Sequence, residues 1–107
     1  DRTVRFSMTM STEAVREVRM FRELDNTLQL RLRFVDFVAA FDFMTEVAAL
    51  AEAHQHHPEW RNVYNLVEIT LTTHDAGNVV TEKDRALAQA IEQLPTTKRA
   101  EVLTLDA

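Results

Sequence analysis

The sequence predicts an α+β domain, a two-layer sandwich in which helices cover one face of a four-stranded antiparallel sheet. Two segments, residues 28–34 and 63–72, alternate apolar and polar residues as half-buried strands do. Between them apolar residues recur with the period of a helix, and a second helical pattern follows Thr81. Neighbouring strands joined by short turns, with helices between them, favour this architecture.

Length and composition are those of one globular domain spanning residues 1–107. Hydrophobic residues make up 46% and charged residues 27% of the 107 positions. The net charge is -5 and the basic residues are scattered, which argues against direct binding of nucleic acid.

The chain has no cysteine, so disulfides and thiolate metal sites are excluded. No apolar run approaches the ~18 to 20 residues of a membrane span, and no signal peptide is visible. We expect a cytoplasmic protein, with the nucleus as a second compartment.

The first third of the chain predicts a strand, a short helix and a hairpin. Thr3 to Met10 alternates as a strand, and Ser11 is a plausible N-cap for the short helix that follows. Asp25-Asn26 is a turn signal, because both side chains bond local backbone and tolerate unusual dihedral angles. We expect Met20 to Leu24 to pair across this turn with Leu28 to Phe34.

A long helix is predicted from Phe37 to about His54. Asp36 is a suitable N-cap, since the apolar period changes from two to about 3.6 directly after it. We expect this helix to pack on the sheet through a stripe of apolar residues. The members of the predicted stripe are Phe37, Phe41, Met44, Ala48 and Ala51, and Val38 and Val47 broaden it.

The second half predicts one strand, a loop and a last helix. The strand is expected at Val63 to Thr72, and residues 73–78 form a loop that holds the only glycine. Thr81 with Asp84 resembles a capping box in which aspartate replaces the usual glutamate. The buried stripe of the last helix is predicted to be Leu87, Ala88, Ile91 and Leu94.

Pro95 should end that helix, and residues 95–107 form a tail. Val102 to Leu105 could be either a strand or frayed chain. We expect the tail to be peripheral to the fold.

Three histidines mark a candidate site. His56 and His57 form a doublet at the end of the long helix, and His74 ends the strand that should return toward them. Pro58 disfavours a helical conformation for His57, so the imidazoles leave the helix in defined directions. Because the unperturbed pKa of histidine is about 6.5, converging imidazoles suit acid/base chemistry near neutral pH.

Zinc is a competing explanation, because His54 adds a fourth imidazole to the three. Adjacent histidines before a proline diverge and rarely chelate one ion. We therefore expect acid/base histidines and no metal.

The spacing of these residues resembles the signature of the pterin-4a-carbinolamine dehydratases, also known as dimerization cofactors of a homeodomain transcription factor. The resemblance covers residues 28–94, and several spaced anchors over that length weigh against chance. The anchors are Glu52, then His56-His57-Pro58, Tyr64, His74 and Asp84.

The resemblance implies a fold, an assembly and a reaction. The fold is a four-stranded antiparallel sheet with helices on one face, assembled as dimers or tetramers. The reaction is loss of water from 4a-hydroxytetrahydropterin to give quinonoid dihydropterin in tetrahydropterin recycling, with no metal or organic cofactor. By position, the matching active-site residues are His56, His57 and His74, and the residues that line the pterin are Gln55, Pro58, Thr73 and Asp75.

Within this hypothesis, His56 and His74 are the acid/base pair and His57 binds or orients the pterin. Asp84 has two open interpretations, orienting a histidine or only capping its helix, and Glu52 is expected to be a solvated helix residue. An alternative function is a non-enzymatic interaction module with a transcription-factor partner. Two departures from the family pattern are the N-terminal strand and a loop after His74 that is one residue longer.

Overall fold

The computed structural model describes residues 18–105; the predicted strand at Thr3 to Met10 and the N-cap Ser11 lie outside this range. No helix in the described range is both long and apolar enough to cross a membrane. The elements are β1 (Arg22–Leu24), β2 (Thr27–Arg33), α1 (Phe37–His54), β3 (Glu59–Val63), β4 (Leu66–Leu71), α2 (Glu82–Gln93), α3 (Pro95–Arg99) and β5 (Glu101–Val102), with a short 3-10 turn at His74–Ala76.

The sheet is antiparallel with the order β1-β2-β4-β3, and β5 pairs with β2 next to β1. Leu30 of β2 lies opposite Ile69 of β4 in the central register. Asp25 and Asn26 both have positive φ, 50° and 62°, which is the geometry of the two-residue turns that join β-hairpins. The α+β class and the first hairpin are therefore confirmed.

One face of the sheet forms the core with the helices. Alternate residues of β2 and β4 are buried on this face, while Gln29, Arg31, Glu68 and Thr70 occupy the other face. The largest contributors to the core are Leu28, Leu30, Leu32, Val67, Ile69 and Leu71 from the sheet and Phe43, Leu87 and Ile91 from the helices. Alternation in the sequence predicted this face correctly.

The predicted stripe of α1 is wrong in most of its members. Phe37 and Phe41 are 46% and 54% exposed, and their rings contact each other with centroids 5.9 Å apart. α1 is apolar around much of its circumference, so the period identifies a helix but does not say which stripe faces the sheet. Of the predicted members, Val47 and Ala51 are buried and Met44 is partly buried. The buried residues of α1 are Ala40, Phe43, Val47 and Ala51.

The strand predicted at residues 63–72 is confirmed for Leu66–Leu71 but was predicted to begin too early, because the chain turns back at Tyr64-Asn65. Tyr64 has φ 51°, and Val63 pairs with Leu66 across the turn. β3 and β4 therefore form a hairpin that begins soon after Pro58. The sequence of β3, E-W-R-N-V, does not alternate and gave no strand signal.

The chain after α2 belongs to the fold and is not peripheral. α2 ends at Gln93 and Pro95 opens α3, as a proline at the first helical position can. Thr97 is fully buried and donates to the Ile91 carbonyl at 2.6 Å. Val102 of β5 lies opposite Leu32 of β2, so the strand alternative for the tail is the correct one.

Candidate functional site

The end of α1 directs the two imidazoles of the doublet to different environments. Gln55 adopts a left-handed conformation, φ 51° and ψ 43°, and its N–H donates to the Glu52 carbonyl at 3.2 Å. The His56 N–H donates to the Ala51 carbonyl at 3.1 Å. This pair of bonds is a Schellman motif, a helix ending in which glycine is the usual left-handed residue. The His56 side chain is 10% exposed, whereas that of His57 is 62% exposed.

The loop after β4 brings His74 to the same end of the sheet. Thr73 closes this loop, because its N–H donates to the Val79 carbonyl and its own carbonyl accepts from Asn78, both at 3.0 Å. Gly77 lies at φ 92°, a left-handed conformation that glycine adopts without steric cost. The loop therefore has a fixed shape, and His74 projects from its first turn.

These two chain segments line one open groove with a volume of about 230 Å³. The lining residues are Gln55, His56, His57, Thr72, Thr73, His74, Asp75 and Lys83. All three predicted histidines are present, together with three of the four predicted pterin contacts. Pro58 is not part of the lining, and Thr72 and Lys83 were not predicted.

Larger hollows of about 330 and 340 Å³ lie elsewhere, one beside β2 and β5 and one between the start of α1 and α3. Neither is lined by a histidine. Size therefore does not identify the site, and the concentration of titratable side chains does.

His56 is held by a buried carboxylate. Its Nε2 lies 2.5 Å from Oδ1 of Asp84, whose side chain is fully buried. Asp84 Oδ2 accepts from the Thr73 hydroxyl at 2.7 Å and from the Thr81 N–H at 2.8 Å. If the carboxylate is ionised it only accepts hydrogen bonds, and the proton of this pair is then on His56 Nε2. Within residues 18–105, His56 Nδ1 has no hydrogen-bond partner.

Asp84 also completes the capping box of α2, because its side chain accepts from the N-cap Thr81. The capping interpretation is therefore confirmed. The other oxygen of the carboxylate contacts His56, which is the geometry that the orienting interpretation requires.

The other two histidines have exposed partners. His57 Nε2 lies 2.6 Å from Oε2 of Glu52, and the two side chains are 62% and 78% exposed. His74 Nδ1 lies 2.7 Å from the side-chain oxygen of Asn78. If that amide oxygen accepts, His74 carries its proton on Nδ1 and leaves Nε2 as the basic nitrogen.

Sequence reasoning did not identify Asn78 or the contact of Glu52. The only sequence signal for Asn78 was its place after the glycine in a loop longer than usual. Glu52 gave a stronger signal, because it lies one helical turn before the doublet.

The three imidazoles therefore differ in burial and in partner, with a buried carboxylate on His56, an exposed carboxylate on His57 and a neutral amide on His74. Such a set can present a proton donor and a proton acceptor to one small ligand. In the described part of the chain, no group of three or more His, Asp or Glu side chains is arranged to hold a metal ion.

Comparison with known proteins identifies relatives over most of the chain. A family model described as pterin 4 alpha carbinolamine dehydratase matches residues 5–94. A protein of Bradyrhizobium sp. is 46% identical over 92 residues, which are 84% of this chain and 92% of that protein. A protein of Rhizorhabdus wittichii is 62% identical over 61 residues, which are 57% of this chain and 62% of that protein. Both are named "putative pterin-4-alpha-carbinolamine dehydratase".

Two solved structures share the fold. A transcriptional coactivator/pterin dehydratase from Brucella melitensis superposes with a TM-score of 0.67 at 37% identity, covering 83% of this chain and 96% of that chain. A pterin dehydratase-like protein described as a RuBisCO assembly factor in the alpha-carboxysome superposes with a TM-score of 0.55 at 26% identity, covering 71% of this chain and 86% of that chain.

Proposed function

Because this chain belongs to the pterin-4-alpha-carbinolamine dehydratase family, we propose that it removes water from 4a-hydroxytetrahydropterin to give quinonoid dihydropterin. In this reaction the bond between C4a and the hydroxyl oxygen breaks, and the hydroxyl leaves as water after gaining a proton. The N5 proton is removed, and a double bond forms between C4a and N5. One proton donor and one proton acceptor are therefore sufficient.

The observation that carries the proposal is that His56 and His74 line one groove from different chain segments, each with one ring nitrogen held by a defined partner. We assign these two as the acid/base pair, a role that contributes ~10² to 10⁴-fold in rate. His57 lines the same groove with a more exposed side chain, and we assign it to binding and orienting the pterin.

The remaining polar residues of the groove complete the proposed substrate site. Gln55 and Asp75 lie on the two chain segments that form its walls, and Lys83 adds a cation from the first turn of α2. We propose that these side chains contact the pterin. Pro58 lies outside the lining and acts by restricting the backbone of His57.

The direct test is an assay of the purified chain on synthetic 4a-hydroxytetrahydropterin, following the absorbance of the quinonoid product against the spontaneous reaction. The proposal predicts acceleration that is proportional to protein concentration. It also predicts the same rate after dialysis against a chelator, because no residue is assigned a metal. A rate equal to the spontaneous one would contradict the dehydratase assignment, and loss with chelator that zinc restores would contradict the acid/base assignment.

A second candidate function, an interaction module, is supported by an apolar ridge on the outer face of α1. The ridge consists of Val35, Phe37, Val38 and Phe41, which are 85%, 46%, 65% and 54% exposed. Exposed apolar groups at this density are typical of contact surfaces. The Brucella structure is described as a transcriptional coactivator as well as a dehydratase, and the carboxysome protein as an assembly factor. We propose that the ridge is covered in a homodimer or homotetramer, or by a transcription factor. The two functions are compatible, because the ridge residues do not line the groove.

A further inference from the structure

The hydroxyl of Thr73 faces away from solvent and toward Asp84, the carboxylate that contacts His56. Thr73 is 8% exposed, and its Oγ1 lies 2.7 Å from Asp84 Oδ2 and 2.6 Å from the Thr81 hydroxyl. The same Asp84 carboxylate holds His56 through its other oxygen at 2.5 Å. Three chain segments, the ends of α1 and β4 and the start of α2, therefore meet at one carboxylate.

Only one arrangement of protons satisfies these contacts. Asp84 accepts only, so the Thr73 hydroxyl must donate to it. Thr73 has no second proton, and the Thr81 hydroxyl must therefore donate to Thr73 Oγ1. The Thr81 oxygen is left to accept from the Lys83 N–H at 3.3 Å. Thr73 thus has no proton available for a ligand in the groove.

We propose that Thr73 is a positioning residue, which holds the Asp84 carboxylate so that Oδ1 faces His56 and keeps the imidazole proton on Nε2. This inference rests on the proposed function for its effect on turnover. The family resemblance had suggested that Thr73 contacts the pterin. The position of its hydroxyl instead favours an indirect role, in which Thr73 acts on the substrate through Asp84 and His56.

The physical reason is the rotation of the carboxylate about its Cβ–Cγ bond. Asp84 Oδ2 has two donors, the N–H of Thr81, which caps the same helix, and the hydroxyl of Thr73 in the loop after β4. Two donors from different directions fix the plane of the carboxylate, whereas one leaves it a range of rotation. Without the Thr73 hydroxyl, Oδ1 moves out of line with His56 Nε2, and the imidazole loses its fixed tautomer and orientation.

The test compares Thr73→Val, which keeps the shape and removes the donor, with Thr73→Ser, which keeps the donor. Thr70→Val is the matched control, because Thr70 is a threonine of β4, three residues before Thr73, and lies outside the groove. We expect Thr73→Val to lower kcat about tenfold with KM within about twofold, as for loss of one hydrogen bond to a charged group. Thr73→Ser should recover kcat to within about threefold of the original chain, and Thr70→Val should match that chain.

A second readout does not depend on turnover. Long-range ¹H–¹⁵N spectra of the histidine rings should show a protonated Nε2 for His56 in the original chain and a mixture of tautomers in Thr73→Val. If the chain proved inactive on the pterin, this change in the spectrum would still support positioning, while the proposed function would fail. Unchanged kcat and an unchanged His56 spectrum in a folded Thr73→Val variant would overturn the inference.

If Thr73→Val does not fold, the inference is tested instead by the exchange rate of the Thr73 hydroxyl proton in the original chain, measured by NMR. A buried hydroxyl that donates to a carboxylate exchanges slowly with water and gives a visible proton resonance. Its detection would support the inference, and a Thr73 hydroxyl in fast exchange would overturn it.

Discussion

Oδ1 of Asp84 lies within hydrogen-bond distance, 2.5 Å, of Nε2 of His56, a residue 28 positions earlier in the chain. The bond joins the end of α1 to the first turn of α2, and neither side chain is substantially exposed. Because the second oxygen of Asp84 is committed to Thr73 and Thr81, the carboxylate cannot turn freely. The orientation of one imidazole thus depends on a residue that also begins a helix.

Asp84→Asn should lower kcat by about 10²-fold or more, because the imidazole would be held in the wrong tautomer. Two donors, the Thr73 hydroxyl and the Thr81 N–H, already face the Oδ2 position, so the amide oxygen must take it. The amide NH₂ then points at His56 and requires an unprotonated Nε2 there. The measurement is kcat together with the ¹⁵N tautomer assignment of His56.

The stability of this variant should fall by about 1 to 3 kcal/mol, since a buried polar group loses part of its hydrogen bonding. Asp42→Asn is the control, because Asp42 is an exposed acidic residue of α1 outside the groove. An Asp84→Asn variant with the original kcat would show that the buried bond does not matter for turnover.

Asn78→Gly should lower kcat by about three- to tenfold, because His74 would lose the acceptor of its Nδ1 proton. Glycine is the suitable replacement, since Asn78 lies at φ 61° and another side chain would add strain at that position. Asn78→Asp keeps an acceptor oxygen and should retain most of the activity. Equal loss in both variants would assign the effect to the loop backbone and not to the bond with His74.

Glu52→Gln should change little. The contact of Glu52 with His57 is short, 2.6 Å, but both side chains are more than half exposed, and such surface contacts contribute little to stability in water. We expect KM within about twofold of the original value and a free energy of unfolding within about 0.5 kcal/mol. A KM that rises tenfold would mean that Glu52 positions His57 or contacts the substrate.

Truncation of two phenylalanines of α1 should destabilise the fold to very different extents. Phe43→Ala should lower the free energy of unfolding by about 3 to 5 kcal/mol, because the ring is fully buried. Phe41→Ala should cost about 0.5 kcal/mol or less in a monomer, since the ring is 54% exposed. Urea titration at two protein concentrations measures both. A large, concentration-dependent loss for Phe41→Ala would instead show that an oligomer buries the ridge.

The sequence predicted those elements whose signals are local. Asp36 caps α1 by accepting from the Ala39 N–H at 2.8 Å, and Thr81 with Asp84 caps α2 as expected. Alternation identified the buried face of β2 because its period and its phase are both visible in the residues. For α1 the helix was predicted correctly but its buried face was not. An apolar helix can bury either Phe41 or Phe43, and only the position of the sheet decides which of the two is buried.

The sequence was sufficient to predict which histidines line the candidate site, but not the hydrogen-bond partner of each one. The doublet and His74 carried a chemical signal, and the structure brings them to one groove. The partner of each imidazole depended on tertiary geometry; His56 and Asp84, for example, are separated in the chain by the β3–β4 hairpin and the loop that follows it. The β3–β4 hairpin was not predicted, because tyrosine is not a residue type that indicates the left-handed conformation found at Tyr64.

The central claim is that His56 and His74 exchange protons with the substrate, and the most direct measurement is kcat of the double variant His56→Ala/His74→Ala on 4a-hydroxytetrahydropterin. His57→Ala is the matched comparison within the groove and should act mainly through KM. The double variant should lose nearly all acceleration over the spontaneous reaction while its melting curve and elution volume stay close to those of the original chain. Turnover preserved in the double variant, or its unfolding, would contradict the catalytic assignment.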